Sequence, residues 1–175
     1  MNLSLVFMAF GCVLALALQS STSHTFHAHS QRRTGSFHIE ASMDLVFPMF
    51  TPEVEKSWAA GWNPEYVFPA DGKTTQGMVF RTEHSGPKTW IMTVYDPDQH
   101  RVAYVNVGPD MVIQISVNCR SEGNGTRAEV SYVHTALTEK GNESVDAYAQ
   151  EHHEKQMEHW RSAISDALAH EQTGR

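Results

Sequence analysis

A helical pattern of apolar residues near the C-terminus constrains the fold of this 175-residue chain more than any other feature. Between Gly141 and His170, apolar and small side chains recur at steps of three and four, which places them on one side of an α-helix. The residues of this stripe are Val145, Ala149, Met157, Trp160, Ile164 and Leu168, with Tyr148, Ala163 and Ala167 beside them. The pattern predicts one long amphipathic helix, and at 1.5 Å per residue its length from Val145 to His170 is about 37 Å.

The residues before this helix, from Gly35 to Thr138, fall into short alternating runs separated by turn residues. In the clearest run, Met111 to Arg120, every second side chain is apolar. The segment after the first run, from Met43 to Trp58, predicts two short helices. We therefore predict an α+β fold in which a curved antiparallel sheet of about seven strands wraps round the long C-terminal helix, with two short helices after strand 1.

Residues 1–23 read as a leader, because the apolar run Leu3–Leu18 is followed by a polar tract. This length fits the core of a signal peptide and is shorter than the ~20 residues that a spanning helix needs. We therefore expect cleavage after Ser23, export to the periplasm or the medium, and no stable membrane insertion of the mature domain. No Lys or Arg precedes Arg32, so a membrane anchor, or a wrongly assigned start and a cytoplasmic protein, stay open as alternatives. Residues 24–34 are predicted to be a flexible linker and residues 35–171 the folded domain.

The bulk composition excludes several classes of function. A net charge of −7 and a pI near 5.8 disfavour a nucleic-acid partner, which usually requires a basic face. Two cysteines, Cys12 and Cys119, cannot build a disulfide framework or a cysteine zinc site. His24, His27 and His29 could share a metal, but the tract around them contains no other type of ligand. The run 152–159 contains no His-Glu-x-x-His, since Met157 stands where the second histidine is required. We predict no metal and no cofactor.

Short motifs along the chain carry a family resemblance. They are Phe47-Pro48-Met49-Phe50-Thr51-Pro52, Gly61-Trp62-Asn63-Pro64, Gly77-Met78-Val79-Phe80, Tyr95-Asp96-Pro97 and Gly125-Thr126-Arg127-Ala128-Glu129-Val130. With the order of elements, they resemble the START/polyketide cyclase-like (SRPBCC) superfamily over roughly Gly35 to Leu168. The resemblance implies a helix-grip fold with a deep apolar cavity. It does not imply one activity, because the superfamily includes lipid carriers, cyclases, hydrolase-like enzymes and chaperone activators. An export leader departs from its usual cytoplasmic members.

Inward-facing residues of the last two strands and the helix, together with a tryptophan near the second strand, are the candidate cavity wall. The candidate ligand-binding residues are Trp62, Ile115, Val117, Val130, Tyr132, His134 and Tyr148. His134 is also the candidate catalytic group, because imidazole titrates near neutral pH and could move a proton. A hydrogen-bonded structural histidine and an aromatic core anchor are the alternatives for His134 and Tyr132, respectively.

Three functional hypotheses follow. The leading one is the binding of a hydrophobic or amphipathic small molecule, lipid or polyketide-like, between the sheet and the helix. The second is an enzyme of cyclase or dehydrase type that uses His134 in the same cavity. The third is an interaction module similar to the chaperone activators, which would require the cytosol. The sequence contains no Gly-x-Ser-x-Gly, P-loop or dinucleotide motif, which argues against a hydrolase. The sequence does not determine the oligomeric state.

Overall fold

A seven-stranded antiparallel sheet forms the framework of the protein. The computed structural model describes residues 25–83 and 86–173, so the predicted leader lies outside the described residues. The strands are β1 (Ser30–Ile39), β2 (Glu65–Phe68), β3 (Val79–Thr82), β4 (Lys88–Asp96), β5 (Arg101–Val107), β6 (Met111–Glu122) and β7 (Gly125–Ala136). Their order in the sheet is β1-β7-β6-β5-β4-β3-β2, so the last strand, β7, pairs with the first strand, β1.

Helices cover one face of this sheet. Short helical turns follow β1, namely α1 (Met43–Val46) and 3₁₀ turns at Phe47–Phe50 and Val54–Ser57; α2 (Glu139–Ala147) and α3 (Gln150–Thr173) follow β7. Buried residues of α3, among them Ile164 and Leu168, join the core formed by the inward side chains of the strands. The predicted architecture of a curved antiparallel sheet, a long C-terminal helix and short helices after the first strand is confirmed.

The C-terminal helix is not continuous as predicted from Gly141. It begins earlier, at Glu139, where the hydroxyl of Thr138 accepts a hydrogen bond from the Gly141 amide at 3.1 Å. It is interrupted at Tyr148, whose ψ of 83° departs from helical geometry. The prediction of one unbroken helix is therefore wrong, because the periodic stripe runs through a point where the backbone turns and the Tyr148 ring packs on His134.

The first strand is longer than predicted. Residues 30–34, which fall in the predicted linker, pair with residues 135–131 of β7. The side chains of Arg32 and Ser131 also meet across this ladder, with Arg32 donating to the serine hydroxyl at 2.9 Å. The sequence gives no alternating signal here because polar residues occupy both faces, whereas the backbone ladder forms regardless of side-chain type. The linker prediction is corrected accordingly for residues 30–34.

Candidate functional site

A cavity of about 250 Å³ lies between the inner face of the sheet, the segment after α1, and α3. Its apolar wall comes from strands β3 to β7, from the segment after α1 and from α3. The aromatic residues that dominate this wall are Trp58, Trp62, Phe80, Trp90, Tyr104 and Trp160. Because the chain has four tryptophans, every tryptophan in the protein faces this one cavity.

The polar atoms of Trp58, Trp62, Trp90 and Tyr104 donate hydrogen bonds within the protein. The bonds run from Trp58 Nε1 to Met49 O (2.8 Å), from Trp62 Nε1 to Pro52 O (2.8 Å), from Trp90 Nε1 to Thr82 Oγ1 (2.9 Å) and from the Tyr104 hydroxyl to Phe50 O (2.7 Å). The rings also hold one another in place, for example Phe80 stacked on Trp90 at 5.7 Å between centroids. These four aromatic side chains are therefore held in place, and their donors are already used.

Four polar side chains interrupt this wall, namely Glu55, Lys88, Asn106 and Gln156. Asn106 is the most buried of them, with only 3% of its surface exposed. Its Oδ1 atom has no hydrogen-bond partner among the described residues. A buried amide oxygen without a donor is costly, and Asn106 Oδ1 could accept a hydrogen bond from a group that enters the cavity.

Glu55 reaches the cavity from the second 3₁₀ turn. Burial raises the pKa of its carboxyl to about 8, because the charged form is poorly solvated there. The carboxyl is consequently protonated at neutral pH. Burial, together with the nearby charge of Glu55, also raises the pKa of Tyr104 well above its ordinary value.

Lys88 enters the cavity wall from β4. Burial lowers the pKa of its amine. A close ion pair would have the opposite effect on both groups, lowering the pKa of Glu55 and raising that of Lys88. In keeping with these directions, the structure contains no ion pair between Lys88 and Glu55, which are both described residues.

A chain of hydrogen bonds leads from the cavity wall to the interruption between α2 and α3. Gln156 donates through Nε2 to the Tyr132 hydroxyl at 3.2 Å and accepts through Oε1 from the Tyr148 hydroxyl at 3.0 Å. The same Tyr148 hydroxyl lies 3.2 Å from Nδ1 of His153, which is fully buried. Tyr132 and Gln156 line the cavity and Tyr148 and His153 do not, so this chain connects the cavity to the helix junction behind it.

The structure separates the predicted site residues into two groups. Trp62, Ile115, Val117 and Tyr132 line the cavity, whereas Val130, His134 and Tyr148 are not among its lining residues. His134 packs behind Tyr132 and against Tyr148, with ring centroids 5.7 and 4.2 Å away. It is 5% exposed, and burial, followed by the nearby His153 and Arg33, lowers its pKa to about 4. A neutral imidazole packed between two tyrosine rings is the state that this geometry favours.

The sequence analysis overlooked Glu55, Lys88, Asn106 and Gln156. A signal for Asn106 was present, because it follows Val102 and Tyr104 at alternating positions of β5 and is thus a polar residue on the inner face. Glu55 lies in a short 3₁₀ turn, where no helical or strand period identifies the buried side. Among residues 25–83 and 86–173, no group of three or more His, Cys, Asp or Glu side chains is arranged to hold a metal ion.

Comparison with solved structures adds the fold relationship. Norcoclaurine synthase from Thalictrum flavum, in complex with dopamine and hydroxybenzaldehyde, superposes with a TM-score of 0.61 at 11% identity, over 97% of this chain and 98% of the synthase chain. The chain has the helix-grip fold. An uncharacterised protein from Rhizobium leguminosarum matches this helix-grip chain with a TM-score of 0.59 at 15% identity, over 82% of this chain and 97% of its own.

A third helix-grip structure, CalU16 from Micromonospora echinospora, matches with a TM-score of 0.52 at 15% identity, over 83% of this chain and 90% of its own. Identities this low establish the fold alone. No family model matches the sequence, and no curated protein matches it significantly. Within the described residues of this helix-grip protein, no helix is both long and apolar enough to cross a membrane.

Proposed function

We propose that the protein binds a small hydrophobic or amphipathic molecule in the tryptophan-lined cavity. The observation that carries this proposal is the combination of an apolar aromatic wall with a buried acceptor, Asn106 Oδ1, that has no partner in the described part of the chain. Ligand pockets typically combine such a wall with a few polar groups that orient the ligand. Burial of apolar ligand surface would supply the affinity, at about 25 cal/mol per Å² before ordering costs.

The volume narrows the choice between lipid and polyketide-like ligands. An apolar cavity of about 150 Å³ accommodates benzene, so a cavity of about 250 Å³ suits a molecule of one or two rings. The two acyl chains of a membrane lipid would not fit without a large expansion. The cavity size therefore favours a compact, polyketide-like aromatic compound, in keeping with the resemblance to the polyketide cyclase-like proteins.

The proposal can be tested by calorimetric titration with a neutral two-ring compound such as 1-naphthylmethanol. Ile115 lines the cavity, and Ile115→Trp should fill part of it and weaken binding at least tenfold. Ile91→Trp is a matched control, since Ile91 is 38% exposed and lies one residue from the inward-facing Trp90, on the outer face of the sheet. If the compound binds in the cavity, Ile115→Trp loses affinity for it and Ile91→Trp does not. Equal affinity in all three proteins would place the compound elsewhere and contradict the proposal.

A cyclase- or dehydrase-type activity remains the second candidate, and its supporting observation is Glu55 rather than His134. A carboxyl with a pKa of about 8 in an apolar cavity can give or take a proton near neutral pH. In support of this candidate, norcoclaurine synthase, which has a similar fold, forms a complex with two aromatic compounds, dopamine and hydroxybenzaldehyde. Native mass spectrometry of protein from its own source would distinguish the two candidates, because a carrier retains an unchanged ligand whereas an enzyme converts it on incubation.

We further propose that the protein acts outside the cytosol after removal of the predicted leader. The alternatives are a membrane anchor and a cytoplasmic protein, which would revive the chaperone-activator-like hypothesis. N-terminal sequencing of protein isolated from its source tests this directly. A new N-terminus after Ser23 would support export, and an intact N-terminus on soluble cytosolic protein would exclude it.

A further inference from the structure

Two side chains that line the cavity, Asn106 and Glu55, carry oxygens without a hydrogen-bond partner among the described residues. Asn106 Oδ1 is buried without a hydrogen-bond donor among the described residues. The Glu55 side chain forms no ion pair or hydrogen bond with another described residue, and burial is what shifts its pKa. A cationic ligand that donates to both would satisfy the buried Asn106 acceptor and stabilise the ionised form of the Glu55 carboxyl.

The aromatic wall favours the same kind of group. The faces of tryptophan, tyrosine and phenylalanine rings carry negative electrostatic potential and attract cations within about 6 Å of the ring centre. Because the Nε1 atoms of Trp58, Trp62 and Trp90 already donate to protein oxygens, these side chains have no N–H donor left for a ligand. What they offer a ligand is ring surface. A carboxyl group beside several such rings is the usual composition of a site for an organic ammonium ion.

We infer that the cavity binds a small aromatic amine, with its ammonium group between the Glu55 carboxyl and the Asn106 amide oxygen and its rings among the tryptophans. This inference rests on the proposed function and specifies the chemical class of its ligand. The volume of about 250 Å³ limits the ligand to one or two rings.

Lys88 is the group that could oppose a cationic ligand, since it lines the same cavity. Burial lowers the pKa of its amine and thereby weakens its hold on a proton. Lys88 forms no ion pair with Glu55, and burial alone raises the pKa of the Glu55 carboxyl. The Glu55 carboxyl is therefore available to a cationic ligand. Lys88 is the residue that would bind an anionic ligand instead, so a Lys88 variant can distinguish the two.

Binding of an ammonium ion should release a proton. The titratable groups around the Glu55 carboxyl are Lys88 on β4 and the tyrosines of β2, β5 and β7, namely Tyr66, Tyr104 and Tyr132. Burial raises the pKa of all three tyrosines, so they stay protonated at neutral pH. Glu55, with a pKa of about 8, is then the group that gives up its proton when a cation enters. At pH 7 the release should approach one proton per ligand bound.

Three compounds of nearly equal shape test the inference by calorimetric titration at pH 7. They are 1-naphthylmethylamine, which is an ammonium ion, 1-naphthylmethanol, which is neutral, and 1-naphthoate, which is an anion. We expect the ammonium ion to bind about tenfold more tightly than the alcohol, since a hydrogen bond to a charged group exceeds a neutral one by about that factor. Titration in buffers of different ionisation enthalpy should show proton release for the ammonium ion and none for the alcohol.

Variants assign the effect to individual residues. Glu55→Gln keeps the shape and removes the charge, so it should reduce ammonium binding about tenfold, abolish proton release and leave alcohol binding within about twofold. Asn106→Leu removes the acceptor for both the ammonium group of the amine and the hydroxyl group of the alcohol, so it should weaken the binding of both compounds. Glu53→Gln is the matched control, because Glu53 is exposed on the same segment and pairs with Lys56 at 2.6 Å. Thermal denaturation of each variant verifies that it is folded.

The outcomes separate this inference from the function on which it rests. Equal binding of the alcohol and the ammonium ion, unchanged in Glu55→Gln but lost in Ile115→Trp, would overturn the inference and leave cavity binding intact. Tightest binding of naphthoate, with loss in Lys88→Gln, would also overturn it in favour of an anionic ligand. Absence of binding by all three compounds would reject both the inference and the proposed function.

Discussion

Gly35 on β1 lies directly beneath the imidazole of His153 on α3. A Cβ atom at Gly35 would lie 3.2 Å from His153 Nε2 and 2.7 Å from Met157 Cγ, both closer than ordinary van der Waals contact. The missing side chain thus lets the first turns of α3 approach the sheet and places His153 at the inner end of the polar chain that starts in the cavity.

We expect Gly35→Ala to destabilise the protein by about 1–3 kcal/mol, because overpacking a filled core has a cost of that size. Urea denaturation measures the change. Gly108→Ala is the control, since a Cβ there would meet only Met111 O at an ordinary 3.6 Å. Similar stability of the two variants would show that α3 can move away from β1 without cost.

Stability should fall in acid because of His134. Its pKa is lowered from 6.5 to about 4 in the folded protein, so the unfolded chain takes up a proton first as the pH decreases. The contribution is complete above pH 6.5, is lost as the pH falls towards 4, and amounts to about 3 kcal/mol. His134→Gln should flatten the decrease in unfolding free energy over this range, whereas the exposed His159→Gln should not. An unchanged slope in His134→Gln would contradict the buried, neutral assignment.

Glu55 should reduce stability at neutral pH. Its folded pKa is raised from 4.5 to about 8, so the stabilising contribution is complete below pH 4.5 and is lost as the pH rises towards 8. Glu55→Gln removes this loss, and we expect the variant to be more stable than the parent at pH 7 by about 1–3 kcal/mol. The difference should vanish near pH 4. A less stable variant at pH 7 would mean that the carboxylate is compensated in the folded protein.

Asn106 should be costly in the empty protein. Replacing its unpaired buried acceptor with an apolar side chain of similar shape, Asn106→Leu, should raise the free energy of unfolding by about 1 kcal/mol. Gln114→Leu on the neighbouring strand is the control, because its side chain is exposed on the outer face. Chemical denaturation without ligand measures both. Destabilisation by Asn106→Leu alone would indicate that the amide has a partner in the free protein.

The sequence by itself determined the elements and their faces. The alternation in β6 places Ile115 and Val117 inward, and both line the cavity. The three- and four-residue spacing identified α3, and the short motifs that resemble the START/polyketide cyclase-like superfamily indicated the helix-grip fold. These features are local, because a strand or a helix repeats its exposed and buried positions at a fixed period.

Only the tertiary structure decided which inward residues reach the cavity. Tyr132 and His134 share a face of β7, yet Tyr132 lines the cavity and His134 packs against Tyr148 behind it. Glu55 and Asn106 are 51 positions apart in the sequence and line the same cavity because the segment after α1 packs over the inner face of the sheet. A period fixes the face of an element but not the position along it where other elements cross, and that position is set by how the whole core packs.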